Sequence, residues 1–175
     1  MKTTRLGIAA IALATFVASS AMAQQAVPRV ALHKDWSVFS PTSPKECFIA
    51  SAPTKTRAER GGAEVTVRRG DIRFYVTNRP GENTINEVSF TGGYPFRDGS
   101  TVSIQIGSDT HEMFTEGEYA WPESPEADKK LVAAMRRGSS AIIRAVSSRG
   151  TNTIDTFSLI GFSDALDDAN ARCTN

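Results

Sequence analysis

The chain has 175 residues, with 20 Lys and Arg against 19 Asp and Glu, two His and two Cys. Near charge balance excludes a general electrostatic attraction to nucleic acid, and so few His and Cys leave little material for a metal centre or a hydrolytic triad. The length suits one domain with its own core and leaves little room for two.

The N-terminus has three parts in order: basic Lys2 and Arg5, an apolar run from Leu6 to Val17, and Ala21-Met22-Ala23 as a small-x-small cleavage site. This pattern predicts a cleaved bacterial signal peptide over residues 1–23. The apolar run is about a dozen residues, short of the roughly 20 needed to span a bilayer, so a retained anchor is the weaker reading. No later stretch is long and apolar enough to span, and no Cys stands at the cleavage point to carry a lipid. The processed chain is therefore expected to be soluble and close to neutral. Residues 24–34 read as a flexible arm, and 35–175 as a single domain.

Alternation with a period of two then dominates. Strands are predicted at Asp35 to Phe39 and Cys47 to Ser51, with a loop at Pro41 to Pro44 between them. Glu64 to Arg68 and Ile72 to Val76 look like a hairpin turning at Arg69-Gly70. Further strands fall at Glu87 to Thr91, Thr101 to Ile106, Thr110 to Phe114, Ala141 to Ser147 and Thr151 to Phe157, the last pair joined at Arg149-Gly150. Many short strands with one apolar face predict a mainly β fold, an antiparallel β-sandwich of two packed sheets.

Two short helices interrupt it. Ser124 is a good N-cap, Pro125 fits the first helical position, and Ala127, Leu131, Ala134 and Met135 form an apolar stripe. Gly138 supplies a left-handed stop. The second helix follows Ser163, with Asp164, Asp167 and Asp168 in its first turns and Leu166, Ala169 and Cys173 on one face. Two cysteines in an exported chain, Cys47 and Cys173, are read as a single disulfide. A loop that long implies stabilisation on the order of 4 to 5 kcal/mol in the chain-entropy model.

Charge is unevenly spread. Lys55 to Arg79 is basic, while Asp155, Asp164, Asp167 and Asp168 make the end acidic. The ordinary reading is that the two neutralise each other across the fold or face solvent.

Catalytic and metal constellations are sparse. His33 lies near the processed terminus and reads as a solvated arm residue. His111 sits in a predicted strand, and no Gly-x-Ser-x-Gly elbow surrounds any Ser. His111 and Met113 share a strand face, a weak copper motif for which burial of Met113 is the default. No catalytic residue, cofactor or metal ligand is assigned. Arg69-Gly70-Asp71 spells a tripeptide that some adhesion receptors recognise, though a turn at Gly70 explains the same letters. Lys129, Arg136, Lys130 and Arg137 form a basic helix stripe, ordinarily a solvated face. Tyr94, Phe96, Tyr119 and Trp121 either line a groove or anchor loops, and Tyr94-Pro95 is a candidate cis bond. The candidate interaction surface is thus Arg69, Gly70, Asp71, Tyr94, Tyr119 and Trp121.

Several stretches, taken in order, resemble the invasion-associated locus B family of exported alphaproteobacterial proteins. They are Asp35-Trp36-Ser37-Val38, Lys45-Glu46-Cys47, Ser51-Ala52-Pro53, Arg79-Pro80-Gly81, Gly93-Tyr94-Pro95-Phe96, Ser148-Arg149-Gly150-Thr151, Asp155-Thr156-Phe157-Ser158-Leu159, Gly161-Phe162 and Cys173. The resemblance implies a periplasmic or envelope-associated β-sandwich, and it brings no catalytic motif. The resulting expectation is a non-enzymatic exported domain that binds an envelope component or another protein, in a family named for host-cell invasion. The rivals are an enzyme acting on an envelope polymer through carboxylates such as Glu118 and Asp155, and a carrier of a small molecule or metal.

Overall fold

The computed structural model describes residues 27–174. The predicted signal peptide lies outside the described residues. The chain runs β1 (Arg29–His33), β2 (Trp36–Phe39), β3 (Cys47–Ser51), β4 (Lys55–Arg60), β5 (Ala63–Glu64), β6 (Arg73–Arg79) and β7 (Thr84–Thr91). It continues through β8 (Thr101–Ile106), β9 (Asp109–Glu116), β10 (Tyr119–Trp121), α1 (Pro125–Arg137), β11 (Ser140–Val146), β12 (Asn152–Ser158) and α2 (Phe162–Thr174). The fold is mainly β and antiparallel with two helices, as expected from the alternating runs.

The two layers are parts of one twelve-stranded sheet with the order β1-β2-β3-β6-β7-β10-β9-β8-β11-β12-β4-β5. The sheet folds over on itself. Phe74 on β6 and Phe90 on β7 meet Phe157 on β12 at ring separations of 5.5 and 6.1 Å, though these strands lie far apart in the order. Trp36 on β2 donates its indole N–H to the Ser158 carbonyl at 3.0 Å, tying one layer to the other. Trp36, Phe74, Phe90, Phe157 and Phe162 are fully buried, and aromatic rings of this size dominate the apolar area withdrawn from water.

The helices close the inner face where the layers diverge. Ser124 is extended (φ −161°) and accepts the Ala127 N–H at 3.2 Å, the expected cap of α1. Gly138 does not make the predicted left-handed stop: its φ is −85°. A Cβ there would lie 2.5 Å from Ile106 Cγ2, so glycine serves close packing instead. Helix α2 buries Phe162, Ala165, Leu166 and Ala169 and begins one residue before Ser163. Its last turn carries Cys173 onto Cys47 of β3, with Cα atoms 5.8 Å apart, and the predicted disulfide is formed.

Two further expectations are corrected. The predicted hairpin of 64–68 with 72–76 does not form. Strand β4 pairs with β5 through a Gly61-Gly62 turn, and residues 65–72 cross between the layers. Val65 N–H and Gly70 N–H go to the carbonyls of Ala58 (2.9 Å) and Gly93 (2.8 Å), which satisfies that backbone outside a ladder. Within the stretch predicted as an arm, Arg29–His33 pairs with β2 as an edge strand, and His33 Nε2 lies 2.9 Å from Asp168 Oδ2. The cis peptide is Ser43–Pro44, not Tyr94-Pro95.

Candidate functional site

The crossing segment 65–72 builds one wall of a cleft of about 500 Å³. The loop after β7 (Gly93 to Pro95) and the turn joining β11 to β12 (Ser147 to Thr151) build the others. Two glycines permit this closure. Gly93 has φ +72°, and a Cβ on it would stand 2.6 Å from the Gly70 carbonyl oxygen, so only bare backbone fits between the two segments. The turn is pinned in turn: Ser148 N–H donates to the Pro95 carbonyl at 2.9 Å and Thr151 N–H to Ser147 Oγ at 3.1 Å.

Arg69 locks the wall from within. Its Nη1 and Nη2 donate to Asp155 Oδ1 and Oδ2 at 2.7 and 2.6 Å, and its Nε donates to the Gly92 carbonyl at 2.8 Å. Asp155 is fully buried and the Arg69 side chain is 8% exposed. This fork-to-fork geometry satisfies both charged groups, without which burial would be costly. The Tyr94 ring lies under the guanidinium, 5.0 Å from ring centroid to Cζ, and its hydroxyl hydrogen-bonds Thr153 Oγ1. Burial pushes the Tyr94 phenol up, outweighing the Thr153 bond and the Arg69 charge, so it stays neutral at physiological pH.

The remaining cations of the cleft are not neutralised in this way. Arg60 donates Nε (3.2 Å) and Nη2 (2.6 Å) to the uncharged Thr151 Oγ1. Arg68 and Arg149 are exposed, and among the described residues neither has a carboxylate partner. Among the described residues, Glu118 is the one carboxylate lining the cleft. Three guanidinium groups facing one carboxylate, beside the hydroxyls of Ser147 and Ser148, suit an anion held by charge-assisted hydrogen bonds. Asp155 is occupied by Arg69, so the cleft does not bring together two free carboxylates for acid–base work.

Of the six residues in the predicted interaction surface, Arg69 and Tyr94 line this cleft. Gly70 backs onto Gly93 beside it. Asp71 points away, its side chain 86% exposed and 3.6 Å from Arg73. With Arg69 buried and Asp71 outside, the tripeptide is not displayed as a unit. Tyr119 and Trp121 are on β10, on the outer face of the sheet, where they stack at 5.8 Å and pack with Phe114 rather than with Tyr94. Phe96 is core, 3% exposed. His111 and Met113 both border a smaller cleft near α1; Met113 is buried, and among the described residues no cluster of three His, Cys, Asp or Glu is placed to hold a metal.

Arg60, Arg68 and Arg149 were not among the predicted site residues. Two were visible as part of the basic stretch, and Arg149 as a turn residue, but their convergence depends on strands far apart in the chain.

A family model described as invasion associated locus B (IalB) protein matches residues 36–170. No curated protein and no solved structure matches the chain.

Proposed function

The chain belongs to the invasion associated locus B family, and we propose that it is an exported, non-enzymatic domain that holds an anionic component of the cell envelope in its arginine-lined cleft. The observation that carries this reading is the convergence of Arg60, Arg68 and Arg149 on a cleft with one opposing carboxylate. Two of the segments on which the family resemblance rests, at Gly93-Tyr94-Pro95 and Ser148-Arg149-Gly150-Thr151, line this same cleft, and Asp155 of a third holds its Arg69 from behind. Export is supported by the signal-like start and by the Cys47–Cys173 pairing, which suits an oxidising compartment. Among the described residues no helix is long and apolar enough to cross a membrane.

Invasion associated locus B is not a known enzyme family. The non-enzymatic reading rests further on Glu118 standing without a second free acid in the cleft. A role at the host-cell surface would follow from where the ligand is displayed.

The test is capture from native envelopes under gentle crosslinking, comparing the processed chain with the Arg68→Ala/Arg149→Ala variant. A reproducible anionic partner that the variant fails to recover is the expected outcome. Recovery of nothing reproducible, or equal recovery by both chains, overturns the reading.

A further inference from the structure

The outer face of the sheet carries a row of aromatic rings that the core does not use. Phe114 on β9 and Tyr119 on β10 are 46% and 44% exposed. Trp121 lies between them, 5.8 Å from each ring with interplanar angles of 32° and 28°. Both helices pack on the inner face, as shown by the burial of Leu131 and Met135 on α1 and of Phe162 and Leu166 on α2 within the core cluster. Two exposed aromatic rings flanking a half-buried third make a contiguous apolar patch of the kind that marks a surface used for contact.

The chemistry beside the rings narrows the occupant. A shallow groove of about 450 Å³ runs from Phe114 and Trp121 to the start of α1, and its charged lining among the described residues is Glu87, Glu116, Glu123 and Asp128, with no cation. Arg79 pairs with Glu87 at 2.6 Å. Glu116 and Glu123 have no cationic partner among the described residues. Aromatic faces next to uncompensated carboxylates favour a guanidinium or ammonium group, which gains cation–π and ionic contact at once. The same acids would repel the anionic ligand suited to the arginine cleft, so the two surfaces select opposite charges.

We infer that the Phe114–Tyr119–Trp121 face with Glu116 and Glu123 is a docking surface for a basic segment of a protein partner, an arginine or lysine side chain lying on Trp121 with its charge toward the two carboxylates. The inference is separate from the cleft and survives if the cleft binds nothing.

The test uses the processed chain and an aromatic-free peptide of alternating arginine and glycine. Trp36 is fully buried, so emission from Trp121 reports contact. Calorimetry supplies the affinity of variants in which that reporter is lost. Saturable binding is expected, weakening with salt and falling at least about tenfold in Glu116→Gln/Glu123→Gln and in Trp121→Ala. Phe114→Ala, a truncation at an exposed site, gives the same direction without burdening the fold, and the Arg68→Ala/Arg149→Ala variant binds the peptide unchanged. No saturable binding, or equal affinity across these variants, overturns the inference. Binding of neutral cellohexaose that Glu116→Gln/Glu123→Gln leaves intact overturns it in favour of a sugar platform. Self-association lost with Trp121→Ala, in the absence of peptide binding, overturns it in favour of a second copy of the chain.

Discussion

Arg69 and Asp155 stand 86 residues apart in sequence and join through two parallel hydrogen bonds of 2.7 and 2.6 Å, with the carboxylate wholly withdrawn from water. The pair fastens the crossing segment 65–72 to β12 and so gives the cleft its wall. Removing one partner leaves the other buried and unpaired. Arg69→Met is expected to lower stability by about 3 to 5 kcal/mol, and Arg69→Met/Asp155→Leu to recover much of it. Urea denaturation of the three chains measures this. A single-variant loss no larger than that of an exposed ion pair contradicts the role given to Arg69.

The disulfide closes a sequence separation of 126 residues and ties α2 to β3. Its removal in Cys47→Ser/Cys173→Ser frees the last turn of α2 and enlarges the unfolded ensemble. A loss of about 2 to 5 kcal/mol is expected. Equal denaturation midpoints for the variant and the oxidised chain contradict it.

Burial pushes the Asp128 carboxyl from 3.8 up to about 6; the 2.8 Å bond from the Val88 N–H opposes this, and the neighbouring charge of Glu87 adds to it. An acid whose folded value is raised binds its proton more tightly in the native state. The cost of ionising it is therefore absent below the ordinary carboxylate value and fully present above about 6. Asp128→Asn keeps an acceptor for Val88 and removes the charge. The variant is expected to be more stable than the parent by about 1 kcal/mol at neutral pH, with the difference vanishing as pH falls toward 4. Denaturation across pH 4 to 8 checks the sign; a difference that grows on acidification contradicts it.

Gly93 and Gly99 separate conformational strain from close contact. Both have positive φ, +72° and +67°, but a Cβ on Gly93 meets the Gly70 backbone while one on Gly99 meets nothing within 4 Å. Gly99→Ala is expected to cost about 1 kcal/mol and Gly93→Ala distinctly more, up to about 3 kcal/mol, with the cleft wall displaced. Thermal melts compare them. Equal losses would mean that the Gly70–Gly93 approach contributes little.

Legibility in the sequence followed burial. Thr101 to Ile106 is plain because Val102, Ile104 and Ile106 are buried and their neighbours are not. Strand β4 left little trace, since Ala58 alone is buried among Lys55–Arg60, and Arg29–His33 has no fully buried residue at all. Tyr119–Trp121 is too short to show a period. The converse error came from Val65 and Val67, whose alternation imitates a strand while their backbone crosses between layers. Cys47, Cys173, Arg69 and Tyr94 were each noticed as residues. The cleft was not, because Arg60, Arg68 and Arg149 meet only once β4, the crossing segment and the β11–β12 turn are folded together.

Anion binding by the cleft is measured by calorimetric titration of the processed chain with pyrophosphate and with oligogalacturonate, against neutral maltohexaose. Saturable binding of an anionic probe is expected, weakening with salt and falling at least about tenfold in the equally stable Arg68→Ala/Arg149→Ala variant, with no uptake of maltohexaose. Failure of both anions to bind, or binding that the variant retains in full, would contradict it.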